Sequence, residues 1–572
     1  MKLTVYARCL TGVCLTGLLS ISTLAQTVDL ANLKAVRLSG GLSVNTLYNS
    51  YNPTGADPLS YFVSGNVTLQ ALGTSIPVTL SYSSRKFTYS QPFSYNQIGI
   101  HPTYKWATAH LGSSTMTFSP YTLNGHQFNG VGFELAPGKW KINTMYGRLI
   151  KAQGATELTP ASFQRIGSGV SASWQGDKLR AGLISFYAQD DPNSVTLPAR
   201  PDTAAPFPQP TPQRNLVLGL TAGATLFGWL QFDVEYANSV LERNRTVTER
   251  GTGYAPATLL WRPNATAQSY HAVKSTLNAL LKRTNTVVGL GYERVDPDYV
   301  TLGGYFFNND FTNVTLNLAQ PFWGGKLNAS GNIGLQWDDL KNSKSSAQRR
   351  LVGSANIIAT PTPRLNLSFV YSSFYAYTFI RSAIQDISRL SPLEQIDTLN
   401  LAQITQNLAT NVVYQLRNTE TNVQSLALTG TLMGVVNRQG DLVRRGQLSQ
   451  VLNGGITYSF GLPKQALTLS TGVNVMDSYV SRNYSRSVGP TFSLNKSFLR
   501  NTLTSALMTS YLHATAEQSV SQLTNARLTV SYAPHERHNF NLLVGSLWQT
   551  SSAAGARSNQ YTTATLGYTT RF

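Results

Sequence analysis

From residue 36 to the end of the chain, apolar and polar side chains alternate with a period of two, segment after segment. Val36, Leu38, Gly40, Leu42, Val44, Thr46 and Tyr48 form one early face. Leu365, Leu367, Phe369, Tyr371 and Tyr375 form a middle one, interleaved with Asn366, Ser368 and Ser372. Later come Leu467, Leu469, Thr471, Val473 and Val475, then Phe540, Leu542, Val544 and Trp548. Helical spacing explains none of these series, so the predicted elements are strands. The terminal segment Gln560 to Phe572 puts Ala564, Leu566, Tyr568, Thr570 and Phe572 on one face. Thr565, Gly567, Thr569 and Arg571 fall on the other. One apolar and one polar face suits a strand between lipid and water.

The connections alternate between short and long. Tight-turn sequences rich in Gly, Pro, Asn and Asp stand at Leu72 to Ser75, Ala136 to Lys139, Gln175 to Lys178, Phe227 to Trp229, Leu281 to Thr284 and Trp323 to Lys326. Others stand at Thr360 to Arg364, Leu416 to Asn418, Gly461 to Lys464, Phe498 to Asn501 and Ala533 to Arg537, with a weaker one at His110 to Ser113. Long polar links run over 190–215, 238–268 and 378–400. Short turns on one rim and long loops on the other imply roughly 26 strands, within a range of about 22 to 26. The predicted fold is all-β: a single large antiparallel transmembrane β-barrel, residues 36–572, without a plug domain. An even strand number puts both termini on the short-turn, periplasmic side. A bore of roughly 50 Å follows from the strand spacing. A bore that wide would leak unless inward loops (190–215 or 378–400) or a partner protein close it.

The N-terminus changes the compartment. Lys2 and Arg8 precede the apolar run Leu10 to Leu19, and Thr23, Leu24 and Ala25 offer small residues for cleavage. Residues 1–25 therefore read as a secretory signal, followed by a short periplasmic segment, 26–35. Both cysteines, Cys9 and Cys14, lie inside the signal, so the mature chain has no disulfide framework or cysteine metal site. Charged residues make up only 12% of the chain, about half the usual share, while aromatics make up 10%. A barrel wall with a wet interior needs polar residues without charge and apolar residues without long runs.

Aromatic girdles at the membrane interfaces are expected from Tyr48, Tyr61, Tyr82, Tyr104, Trp106, Trp140, Tyr146, Trp174, Tyr236, Tyr292, Trp337, Tyr414, Tyr458, Tyr511, Tyr532 and Trp548. The net charge is +19. The alternation assigns Arg37, Lys105, Lys141, Lys274, Arg527 and Arg571 to the lumen, since a cation facing lipid near the midplane would cost about 2–4 kcal/mol. Such a lumen would attract anionic solutes or anionic lipid groups. The competing reading pairs these cations with Asp233, Glu235 and Glu293, or with lipid phosphates. No basic cluster sits on a compact groove-fitting element, so nucleic acid is not an expected partner.

Catalytic constellations are weak. His110 and His126 flank Ser119, but no carboxylate is spaced along the chain to orient either imidazole. His535 and His538 share a turn, and a pair of histidines alone is little for a metal. Asp296, Asp298 and Asp310, with Asn308 and Asn309, could surround a calcium ion or could simply cap a loop. No catalytic, cofactor or metal residue is assigned, and the chain is not expected to be an enzyme.

Two stretches, Pro102 to Ala152 and Gly291 to Asp310, resemble large outer-membrane barrel proteins of Bacteroidota. The ending also resembles the C-terminal aromatic signal of outer-membrane barrels, with Tyr568 and Phe572 as its residues. These resemblances imply the bacterial outer membrane, a lipid environment and handling by the barrel-assembly machinery. The expected function is a channel or translocation pore, its bore closed by inward loops or by a lumen-filling or periplasmic partner. The alternative is a non-conducting scaffold or receptor subunit of a larger complex.

Overall fold

The computed structural model describes residues 36–50, 57–71, 73–84, 96–155, 160–197, 209–251, 257–305, 307–338, 340–341, 349–377, 401–439, 442–443, 449–480, 483–516, 519–552 and 558–572. The proposed signal segment and loop 378–400 lie outside these residues, as do parts of loops 190–215 and 238–268.

The alternating segments form one closed wall. Its staves are β1 (Arg37–Asn49), β2 (Leu59–Ala71), β3 (Thr74–Ser83), β4 (Gln97–Ile100 with Thr103–Tyr104), β5 (Ala107–Thr117), β6 (Asn124–Leu135), β7 (Trp140–Ile150), β8 (Gln164–Gln175) and β9 (Leu179–Asp191). They continue as β10 (Arg214–Leu226), β11 (Leu230–Glu242), β12 (Ala267–Leu281), β13 (Thr286–Val295), β14 (Phe311–Phe322), β15 (Leu327–Asp338), β16 (Arg349–Thr362), β17 (Leu365–Tyr377) and β18 (Leu401–Asn418). The last are β19 (Val423–Gln439), β20 (Ser449–Leu462), β21 (Leu467–Val480), β22 (Asn483–Phe498), β23 (Leu503–Ala516), β24 (Ser519–His535), β25 (His538–Ser551) and β26 (Asn559–Arg571). Leu442–Val443 is a hairpin tip that pairs only with the end of β19. Each stave is antiparallel to the next, and β26 pairs with β1 from Gly41↔Arg571 to Asn49↔Thr563. The wall is therefore a closed 26-stranded antiparallel barrel with no free sheet edge.

The seam is finished by the last residue. Phe572 N donates to the Gly40 carbonyl at 3.1 Å, and Gly40 N donates to the Phe572 carbonyl at 2.9 Å. Turn chemistry sets the register around the wall. Gly138 and Gly228 adopt φ of 62° and 69° in their turns, a region other residues enter at a cost. One expected turn is misplaced. His110 to Ser113 lies inside β5, and the chain reverses earlier, at Lys105 and Trp106, with Lys105 at φ 51°. That turn lacks Gly and Pro, so its local composition did not mark it.

Outward registers carry the apolar side chains. Leu183, Leu220, Leu290, Leu316, Ile333, Ile456, Val473 and Leu566 are each about half exposed on the outer face. The girdle residues share that face: Trp140, Tyr414 and Tyr532 stand near the short turns, and Tyr48, Tyr146 and Trp548 toward the long loops. Along β25, Phe540 and Trp548 point outward eight residues apart, a rise of about 20 Å for a strand tilted near 40°. An uncharged apolar band between two aromatic rows is the exterior of a transmembrane barrel.

Candidate functional site: a lumen divided into two sectors

The inner face is not uniform around the barrel. From β5 to β13 its long-loop half is apolar. Met116, Phe128, Met145, Leu149, Phe186, Val217, Leu241, Tyr270 and Val295 all lie in inward registers and are buried. Two loops fold into the bore and cover them. Loop 118–123 is held in shape by Phe118 N donating to the Leu123 carbonyl and by Ser119 Oγ against Thr122 Oγ1 at 2.9 Å. Loop 296–310 is a compact Ω-loop whose ends meet, with Asp310 N donating to the Asp296 carbonyl.

The two loops lock to each other and to the wall. Tyr299 Oη donates to the Tyr121 carbonyl at 2.8 Å, and Thr301 Oγ1 to the Thr122 carbonyl at 2.6 Å. Asn124 N donates to the Gly303 carbonyl, and Leu302 N to Asn215 Oδ1 on β10. Ser239 on β11 donates to the Val300 carbonyl at 2.6 Å. The rings of Tyr121, Tyr299 and Phe307 meet within 4.9 to 6.4 Å. Burial pushes both phenols above their ordinary range, so they stay neutral donors at physiological pH. Each buried aromatic side chain contributes about 1.5–3 kcal/mol. Gly303 is required where the loop crosses: a Cβ there would lie 2.7 Å from the Thr122 carbonyl oxygen and 2.8 Å from the Phe186 ring. Gly303→Val should therefore unseat the loop, seen as new protease cleavage within 296–310 of the folded barrel; resistance equal to wild type would contradict this packing.

Below these loops lies a charged belt. Arg180 Nη2 meets Asp233 Oδ1 at 2.5 Å, and Lys274 stands in register between Glu235 and Glu293. Tyr121 Oη donates to Glu293 Oε1 at 2.5 Å, tying the loop to the belt. Arg180, Thr221, Asp233, Glu235, Lys274 and Thr276 line a cavity of about 380 Å³. Nearer the loop rim, Arg165 pairs with the buried Asp190 through two bonds of 2.7 and 3.0 Å.

The remaining arc, from β14 through β26 to β1–β3, has a different inner face. It carries mainly amides and hydroxyls: Asn317, Asn328, Ser330, Asn332, Ser354, Asn411, Thr429, Asn453, Thr457, Asn474 and Asn495 lie in inward registers, interrupted by the exposed apolar side chains Phe62, Ile358, Val370 and Met508. Asn317, Asn328, Ser330, Asn332 and Asn453 are exposed to the bore among the described residues. Away from the strand ends, Arg527 is the one charged side chain described on this arc.

Five of the six expected lumen cations, Arg37, Lys141, Lys274, Arg527 and Arg571, lie in inward registers. Lys105 is not on the inner face. It sits in the β4–β5 turn with its Nζ 5.2 Å from the Tyr104 ring. The five do not form one ring, and Lys274 is compensated by its acidic neighbours. Arg180 was not visible as a site residue, because its partner Asp233 comes from two strands away. Arg527→Ser should shift the reversal potential under a salt gradient toward cations, since it removes the mid-height charge of the polar arc. An unchanged potential would show that ions do not pass along that arc.

Inward closure was expected from loops 190–215 or 378–400. The described part of 190–215 lies at the rim, where Gln213 N donates to Asp190 Oδ2, and 378–400 lies outside the described residues; among the described residues the bore is entered by 118–123 and 296–310. The described part of loop 243–266 packs outside the wall: Trp261 Nε1 donates to Glu242 Oε2 on the outer side of β11, under Arg214. That packing makes a collar beyond the apolar band.

The histidine and carboxylate candidates find other roles. Ser119 bonds within its own loop, and His126 Nδ1 faces the Gln127 carbonyl while its ring stacks on Tyr305. A carboxylate does approach His110: Glu134 Oε1 lies 3.4 Å from Nε2, across the β5–β6 pair, where chain spacing could not show it. His110 Nδ1 also faces His101 Nδ1 at 3.0 Å. His538 bonds Tyr568 Oη, and Arg537 N donates to His535 Nδ1. Asp296 accepts from His271 N and Asp310 from Leu340 N, while Asp298 faces Arg243 and Lys341. These three acids act as loop caps and ion-pair partners. Among the described residues no group of three or more His, Cys, Asp or Glu could hold a metal.

No family model and no curated protein matches the chain. Among solved structures it is similar to the P pilus usher (PapC) translocation pore, at 10% identity and TM-score 0.39, covering 94% of this chain and 99% of that one. It is also similar to the FrpB iron transporter from Neisseria meningitidis, at 10% identity and TM-score 0.37, over 93% and 82%. A Rh. blastica porin matches at 11% identity and TM-score 0.26, over 56% and 99%.

Proposed function

We propose that this protein is a large outer-membrane channel whose bore is narrowed by loops 118–123 and 296–310. The observation that carries the reading is the divided lumen. One sector is capped by two loops packed on apolar side chains above a charged belt, and the other presents an exposed, mainly hydrogen-bonding face along the described strands. A purely structural barrel would have no reason to keep a polar interior on half of its circumference. The reading assigns no catalytic step. It leaves the polar arc as the place where a lumen-filling partner would seat, and puts both termini at the periplasmic rim.

Planar-bilayer recording of the purified protein tests the reading. Stepwise conductance is expected. Silence in the wild type and in a variant lacking residues 298–308 would overturn it. The outer collar around Trp261 favours a second reading, a receptor or scaffold that holds a complex through its loops. Under that reading the protein is silent in bilayers and co-purifies with a stoichiometric partner in mild detergent.

A further inference from the structure

We infer that the polar arc is a track for uncharged, hydroxyl-rich solutes, of which oligosaccharides are the chemical class. The inference rests on the channel reading and adds its substrate. The first ground is the wall's chemistry. An amide carries both donors and acceptors, so a wall of asparagines and hydroxyls can meet a solute's hydroxyls in either sense. Away from the strand ends, its described residues offer no fixed charge to reward an ionic solute apart from Arg527.

The second ground is how the amides are laid down. Along this arc an inward asparagine repeatedly faces an inward glycine on the adjoining strand. A Cβ at Gly567 would lie 2.5 Å from Asn45 Oδ1, and one at Gly334 would lie 3.0 Å from Asn313 Oδ1. At Gly455 the added atom would overlap Asn474 Oδ1. The glycines thus let the amides lie along the wall instead of standing across the bore. The surface stays shallow: Asn313 Oδ1 is buried and Asn332 bonds Ser354 on the next strand, while Asn317, Asn332 and Asn453 keep exposed area toward the bore. An open water channel alone would not need amides seated on glycines. A solute that slides while exchanging weak hydrogen bonds does, because each contact must be favourable enough to enter and weak enough to leave.

The charged belt belongs to the other sector, where Arg180 pairs with Asp233, Glu293 accepts from Tyr121 of the loop, and Lys274 stands in register between Glu235 and Glu293. Charge therefore serves to hold the packed side.

The test uses the full chain in proteoliposomes and planar bilayers. Swelling rates are compared for uncharged glucose oligomers and for size-matched oligomers bearing a carboxylate or an amine. The uncharged oligomers should enter fastest and should transiently block the ion current. Asn332→Leu combined with Asn474→Leu should weaken that block about tenfold, two lost hydrogen bonds, while small-ion conductance changes little. If ions pass but charged oligomers enter as fast as neutral ones, the inference is overturned and the channel stands. If the block is unaltered in the double variant, the asparagine track is overturned. If neither ions nor sugars pass, the channel reading itself fails.

Discussion

Replacing Tyr121 and Tyr299 together by alanine should raise single-channel conductance several-fold without unfolding the barrel. Their rings and hydroxyls form the lock between loops 118–123 and 296–310: Tyr299 holds the Tyr121 carbonyl, and Tyr121 holds Glu293. Removing a buried aromatic side chain costs about 3–5 kcal/mol. Two such losses exceed what the remaining contacts of a short Ω-loop can offset. The wall should survive, because its ladder is closed all round and takes no hydrogen bond from either ring. The check is paired: bilayer conductance must rise, and the far-ultraviolet dichroism melt in detergent must stay within a few degrees of wild type. A higher conductance with a collapsed melt would point to a damaged wall instead of an opened bore.

Deleting Phe572 should cut the amount of assembled protein in the outer membrane several-fold, with little change in the conductance of the molecules that do insert. The residue supplies the last two backbone hydrogen bonds of the β1–β26 seam, both to Gly40. In lipid an unpaired seam leaves backbone donors and acceptors without water, at several kcal/mol per group. Tyr568 should behave similarly but more mildly. Its ring lies 4.8 Å from Phe540 and its hydroxyl 2.9 Å from His538 Nδ1, so Tyr568→Ala weakens one strand pair and leaves the closing bonds. Quantifying folded protein in isolated outer membranes after matched synthesis separates the two. Wild-type levels of the Phe572 deletion would remove its role as the closing and assembly residue.

How much of this could be read from the chain follows from the range of each interaction. Alternation along single segments, such as Phe540 to Trp548, placed strands, faces and girdles, because that information is local. The seam followed from the same reasoning, since a strand with two finished faces still has two open edges. The divided lumen was beyond local reading. Phe186, Val217 and Leu241 look like ordinary alternating strand residues, and only the loop covering them shows that their inward face is dry. The lock between Tyr299 and Tyr121 joins residues 178 apart in the chain. Its two halves do fall within Pro102 to Ala152 and Gly291 to Asp310, the stretches singled out by resemblance. The tip Val300 to Tyr305 reads in sequence merely as a glycine-containing loop. Only packing explains Gly303, which is small because Thr122 and Phe186 touch it. Loop length is no guide to which link enters the bore: the six residues from Phe118 to Leu123 do so among the described residues, as a short link.

The central claim is that a wide closed wall conducts through only part of its cross-section. Polymer-exclusion sizing of the wild-type pore in planar bilayers tests it most directly, using neutral polymers of graded hydrodynamic radius. The account predicts a conducting pore whose cutoff lies well below the roughly 50 Å set by the wall's strand spacing, and which widens in the Tyr121→Ala, Tyr299→Ala variant. A cutoff that is the same in both proteins, or a wild type that passes no current at all, would contradict it.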